Sequence, residues 1–227
     1  MDKRIHINFL GIKITIKNCF VTQNNKVVLN KCGKIKTLHF VKGLKVKFYG
    51  TNNTVEFIDK VPKMKNVKID CGQNTNIKIA KSNYRIKNLY INARAENVGI
   101  SISEDFSIES GKFDFHGEPN CNIRIGKDCQ FGCNISIDTA DGHTIYDNET
   151  RNVINTPKDI NISNHVWLCE NVSVLKGSFI ANDVIVAKNA LVSGKMLEPN
   201  AVIAGLPAKI VKSNVNWSRA AIKEFMH

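Results

Sequence analysis

The sequence predicts a nearly all-β protein wound as a three-sided parallel solenoid, with irregular coils first, regular coils last, one protruding loop and a short C-terminal helix. Three observations carry this reading. Between residues 1 and 212 no apolar stripe at helical spacing exceeds two turns, while short alternating segments recur throughout. From Ile162 the apolar residues fall at a fixed step of six, through Leu168, Val174, Ile180, Val186 and Val192. A looser repeat of Asn-headed apolar segments comes before that run.

Met1 to Phe20 alternates Ile5, Ile7, Phe9 and then Ile12, Ile14, Ile16 with polar residues. That is the period of strands, not the unbroken apolar run of a signal peptide, so a cytoplasmic protein is expected. Asn25, Asn53, Asn76, Asn97 and Asn122 then open segments whose first apolar positions lie 28, 22, 21 and 25 residues apart. Asn tolerates the left-handed region and bonds its own backbone, so these read as corners of coils with turns of varying length. Residues 1–120 are thus irregular N-terminal coils, with an ordinary β-sandwich as the competing reading for residues 1–60.

In residues 121–212 each six-residue unit makes one short strand and a corner, so three units close a coil of 18 residues. Residues 18 apart, such as Ile162 and Ile180, then stack in one buried column. Four places after each column residue comes a small or apolar one: Val166, Val172, Ser178, Val184, Ala190 and Met196. Ile125, Phe131 and Ile137 keep the same step, with Gly126 and Gly132 following the first two. Residues 138–159 break it, and a loop of that length on a rigid coil is usually functional. Beyond Ile210, Ser213 or Asn214 can cap an amphipathic helix within 213–227. It would set Val215, Ile222 and Phe225 on the coil stack, with Trp217 as a lid on the last coil, and cover the open strand edges.

The 227 residues suffice for a sizeable core, and no stretch approaches the roughly 20 apolar residues of a membrane span. Lys and Arg number 32 against 20 Asp and Glu, a net charge of +12 that suits phosphate-bearing or polyanionic partners. The lysines are spread along the chain without an Arg cluster or a nucleic-acid module, so nucleic acid is not an expected partner. The seven cysteines, Cys19, Cys32, Cys71, Cys121, Cys129, Cys133 and Cys169, contain no Cys-x-x-Cys pair. They read as mostly buried thiols, with neither a disulfide framework nor a thiolate zinc site.

The loop concentrates chemistry: Asp138, Asp141-Gly142-His143, Tyr146, Asp147 and Arg151. A neutral imidazole can take the proton from an attacking hydroxyl near neutral pH, and Asp141 or Asp138 is the nearest carboxylate in sequence to orient His143. His116, His143 and His165 could instead make a three-imidazole zinc site like that of the γ-type carbonic anhydrases on the same solenoid, but the spaced His signature of that family is not matched. No metal is expected.

The six-residue step, Asp141-Gly142-His143, His165-Val166-Trp167-Leu168, Val174-Leu175-Lys176-Gly177, Val186 to Ala190, Val192-Ser193-Gly194-Lys195 and Ile203 to Lys209 together resemble the hexapeptide-repeat O-acetyltransferases of surface polysaccharides, including enzymes acting on sialic-acid polymers. The resemblance implies a left-handed parallel β-helix, an exception to the right-handed crossover rule. It also implies acetyl-CoA as co-substrate, a homotrimer, and active sites in the clefts between neighbouring chains. His143 matches the family's catalytic histidine, and Trp167 a tryptophan on the acetyl-donor side. Lys188, Ser193 and Lys209 match positions along the cofactor groove. Ala204-Gly205, Lys195 and Lys212 offer further open backbone and cations for the CoA phosphates. Cys169 stands where the family commonly has Gly and would narrow the pantetheine path. The expected activity is acetyl transfer to a hydroxyl of a bacterial surface glycan or its precursor, the charge suiting an acidic acceptor. An amine acceptor on a nucleotide sugar and a non-catalytic scaffold are the alternatives.

Overall fold

The computed structural model describes residues 4–9, 12–17 and 24–224. Arg4–Phe9 and Ile12–Lys17 pair as an antiparallel hairpin. From Lys26 onward the chain winds around three faces, and each strand except Lys34–Thr37 and Ala208–Ser213 pairs in parallel with its counterpart one coil away. Face A holds nine strands, among them Asn122–Ile125 and Ile160–Ile162; face B holds eight, among them Gln130–Phe131 and Trp167–Leu168; face C holds seven, among them Ile135–Asp138 and Ser173–Leu175. The parallel coils begin at Lys26, so the sandwich reading does not hold for the residues that follow it. The fold is the left-handed parallel β-helix.

The step of six is what places one apolar residue inside each face. Ile162 pairs with Ile180, Leu168 with Val186 and Val174 with Val192, and all six are at most 2% exposed. Val166, Val172, Ser178, Val184 and Ala190 are buried as a second set. Met196 departs from this pattern: it pairs with Ile180, because the last coil is two residues short of 18. Upstream, the stacked column is Val27, Val55, Ile77, Ile100 and Ile123, so Ile100 and not Val98 continues it.

The corners are asparagine and aspartate in the left-handed region. Between faces C and A stand Asn24, Asn52, Asn74, Asn97 and Asn120, at φ between 53° and 64°. Their amides bond from coil to coil at 2.9–3.3 Å. Of the five asparagines expected at corners, only Asn97 occupies this column. Asn25 and Asn53 lie one residue further on, are buried, and bond each other at 2.9 Å. Thr75 N–H extends this ladder by donating to Asn53 Oδ1 at 2.9 Å.

The C-terminus departs from the expected helix. Ala208–Ser213 is a strand antiparallel to Ala201–Gly205, and this hairpin covers the edge that a helix would have covered. At the other end Lys34–Thr37 does the same against Lys26–Lys31. Asn214 takes φ 56°, and the chain then turns back along face B. Arg219 donates five hydrogen bonds, to Asp128, Ser107, Gln130 and the carbonyls of Asp105 and Cys129. Five such bonds from a guanidinium outweigh the weak helix preference of this segment. A 3-10 turn, Ile222–Glu224, is the only helical element among the described residues, and Ile222 is 80% exposed there. Phe225 and Cys19 lie outside the described residues. Cys71, Cys121 and Cys129 are buried thiols, Cys169 is half-buried, and Cys32 and Cys133 are exposed. Burial pushes the Cys71 and Cys129 thiols up to about 12, which makes them inert. No helix among the described residues is long and apolar enough to cross a membrane.

Candidate active site

Residues 139–159 leave the corner between faces C and A and return to it. The neck is closed by Lys158 N–H donating to Thr139 O at 3.1 Å. Asp159 fastens the exit, accepting from Asn122 N–H at 2.8 Å and from Arg124 at 2.6 Å. Burial raises the Asp159 carboxyl, but the Arg124 guanidinium and the Asn122 amide outweigh it and hold the group below its ordinary range. Beyond the neck the loop is a small hairpin. Tyr146 bridges Val153, Arg151 lies over the Tyr146 ring at 4.1 Å, and Asp147 accepts the Thr150 amide at 2.7 Å.

Asn155 braces the segment that carries His143. Its amide donates to the His143 carbonyl at 2.7 Å and to Asp141 at 2.8 Å, while its oxygen accepts Ile145 N–H at 2.7 Å. Lys176, from the next coil, ion-pairs with Asp141 and also donates to the Asn155 carbonyl at 2.9 Å. Gly142 takes φ 82° between the braced Asp141 and His143, a conformation that a side chain would strain. The His143 backbone is therefore fixed. Its ring is exposed and makes no hydrogen bond with the described residues.

Neither carboxylate nearest in sequence orients His143. Asp141 is engaged by Lys176 and Asn155, and the Lys176 hydrogen bond is the main reason its carboxyl sits below the ordinary 3.8. Asp138 is bonded at 2.8 Å to His116 Nε2 and accepts Ser136 Oγ at 2.6 Å. The histidine–carboxylate pair at the foot of the loop is therefore His116–Asp138. His116 had been singled out in the sequence only as one possible zinc ligand. Its pairing with Asp138 spans 22 residues and comes from coil stacking, which sequence proximity does not reveal.

Trp167 stands half-buried on face B. In a triangular coil the corner between C and A lies opposite face B, so one chain does not bring His143 and Trp167 together. Trp167 instead meets the returning C-terminus, 5.8 Å from the Trp217 ring. Trp217 is thus not a lid on the last coil. It stacks on His165 at 4.3 Å and donates to the His165 carbonyl at 2.8 Å. His165 is itself bonded to Asp183 at 2.9 Å on the corner between A and B, far round the coil from His116. No group of three or more His, Cys, Asp or Glu that could hold a metal occurs among the described residues.

The residues expected to hold CoA fall on two edges. Gly132, Cys169, Ala187 and Ala204 form one column, linked by amide bonds to the next coil, where face B turns into C. Lys188 pairs there with Glu170 at 2.8 Å. Lys209 and Lys212 lie alongside, opposite Ala204 and Val202, and Gly205 is exposed at the turn of this hairpin. Ser193 and Lys195 belong to the other edge, between C and A, above the loop. Both are exposed. Face C separates the two groups.

No protein-family model matches the sequence. The chain is 34% identical over 164 residues to a polysialic acid O-acetyltransferase of Neisseria meningitidis, covering 67% of this chain and 76% of that relative. It is 37% identical over 99 residues to a polysialic acid O-acetyltransferase of Escherichia coli O1:K1 / APEC, 44% of this chain but only 32% of that longer relative. Among solved structures, the polySia-specific acetyltransferase NeuO superposes with a TM-score of 0.62 at 23% identity, over 80% of this chain and 92% of that one. The polysialic acid O-acetyltransferase OatWY does so with a TM-score of 0.53 at 28% identity, over 81% and 90%. The chain belongs to the hexapeptide-repeat O-acetyltransferase family that includes the polysialic acid O-acetyltransferases.

Proposed function

We propose that the chain transfers acetyl from acetyl-CoA to a hydroxyl of a bacterial surface glycan, with His143 as general base and the site completed by a neighbouring copy. The observation that carries this is the placement of His143. Its backbone is held by Asn155 beside the Asp141–Lys176 pair, while its imidazole is exposed and uncommitted. The imidazole takes the acceptor hydroxyl's proton as the oxygen attacks the thioester carbonyl. The tetrahedral intermediate then collapses, the C–S bond breaks as the acetyl ester forms, and the CoA sulfur leaves as the thiol by taking that proton back from the imidazolium. Trp167 of another copy supplies an indole N–H toward the developing oxyanion.

A shared site explains two features together. His143 and Trp167 lie on opposite sides of one coil, and the hairpin exposes apolar groups: Ile145 is 52% exposed, Val153 54% and Ile154 64%. Apolar groups clustered on a protruding arm favour a covered interface. A homotrimer, as the sequence resemblance implies, would bring the arm of one coil to face B of the next. The CoA groove is then assigned to the small-residue column of Cys169, Ala187 and Ala204 with Lys188, Lys209 and Lys212 beside it, while Ser193 and Lys195 of the opposite edge reach it across the interface. A cytoplasmic site of action belongs to the same reading, since the donor is acetyl-CoA.

The test is transfer of labelled acetyl from acetyl-CoA to a panel of charged and neutral glycans. A product stable to mild acid and labile to mild base is expected, and His143→Ala should abolish transfer while oligomer mass and CoA binding stay as in the wild type. Undiminished transfer by that variant would remove His143 from its role.

A further inference from the structure

The net charge is not spread as the lysines are. Residues 24–90 hold fifteen Lys and Arg against three Asp and Glu, whereas residues 91–224 hold thirteen against sixteen. The positive field therefore belongs to the N-terminal coils and not to the coils that carry the loop.

Several lysines of those coils are paired, within a strand as Lys68 with Asp70, or with a stacked coil as Lys78 with Glu56 and Lys87 with Glu109. Lys42, Lys63, Lys65 and Arg85 form no such pair among the described residues, and they surround one open cavity of about 630 Å³ at the N-terminal end of face B. Its floor is apolar, from Val61, Pro62 and Met64, and no carboxylate among the described residues lines it. Arg85 stands directly opposite Lys63 on the neighbouring strand, an arrangement of like charges that costs stability and has no compensating acid here.

We propose that this groove binds a polycarboxylated glycan chain, the acceptor polymer itself, at a distance from the reacting hydroxyl. Charge complementarity selects a polyanion, and the apolar floor suits the C–H faces of sugar rings. Position supports the same occupant. The groove and Trp167 share face B, four strands apart through Arg85–Lys87, Ser107–Ile108 and Gln130–Phe131. At the usual strand spacing that is roughly 19 Å, a distance an extended oligomer covers beside the returning tail, whose Arg219 sits on Ser107 and Gln130. The biological use of the groove rests on the acetyl-transfer reading, but binding by it does not.

Equilibrium binding of fluorescently labelled polysialic acid to the full chain, without acetyl donor, is the test, using wild type and the double variant K63E/R85E, both checked for an unchanged circular dichroism spectrum. Expected are salt-sensitive binding by the wild type and a loss of about tenfold or more in the variant. In turnover, the variant should raise KM for the polymer while kcat, KM for acetyl-CoA and activity on a two-residue acceptor stay unchanged. Unaltered polymer binding by K63E/R85E overturns the proposal, as does equal affinity for single-stranded DNA or anionic phospholipid vesicles. Binding that is lost in the variant when the wild type acetylates no glycan would leave the groove standing and remove the enzymatic reading instead.

Discussion

Lys176 and Asn155 are the residues on which the position of His143 depends, and neither is a neighbour of it in sequence. Lys176 reaches Asp141 across 35 residues because the next coil stacks directly on the loop's neck. The Asp141 carboxyl is lowered by that ammonium, so its contribution is present above the ordinary 3.8 and is lost as pH falls through the lower folded value. The side-chain amide shifts of Asn155, which donates to Asp141, should accordingly change only in acid stronger than the ordinary carboxylate range. Asp141→Asn should displace them at every pH and lower kcat with little effect on global stability, because Asp141 lies exposed, where screening keeps an ion pair weak. The loop that carries His143 was legible in the sequence, since a segment that breaks a regular register announces itself. The partners of the two nearby carboxylates were not, because Asp138 is committed to His116 and Asp141 to Lys176, pairings set by stacking.

At the scale of elements, the buried columns and the corners carry different costs. Ile162→Ala opens a cavity in a column with no slack and should lower unfolding free energy by about 2–5 kcal/mol in denaturant titration. Gly72→Ala is a sharper case: the added methyl would lie 2.2 Å from the Ala95 carbonyl oxygen, so the strands of two coils must part. That variant should unfold at markedly lower denaturant than wild type. The apolar step of six was readable because it repeats without interruption. The upstream asparagines were misplaced by one or two residues, because the buried ladder of Asn25 and Asn53 stands next to the corner column and has the same composition. The C-terminal segment was read as a helix for a similar reason: its apolar spacing fits one, but Arg219 and Trp217 find partners up to 114 residues away. Arg219→Ala should free this tail, seen as a shifted Trp fluorescence and faster proteolysis after residue 214, with the coil's own melting little changed.

Across the whole molecule, the chain separates its tasks along one axis. The coils before residue 90 carry the positive charge, the coils after residue 120 carry the loop and the small-residue column, and face B connects them. What no single chain does is join its two candidate catalytic side chains, since the arm bearing His143 leaves from the corner opposite the face bearing Trp167. The account therefore stands on a site built from two copies. Mixing the inactive variants His143→Ala and Trp167→Ala, then dissociating and reassembling them together, measures this directly. If each site takes its histidine from one chain and its tryptophan from the next, random reassembly in a cyclic trimer restores about a quarter of wild-type activity. If activity stays at the level of the separate variants, both side chains act from the same chain and the account is contradicted.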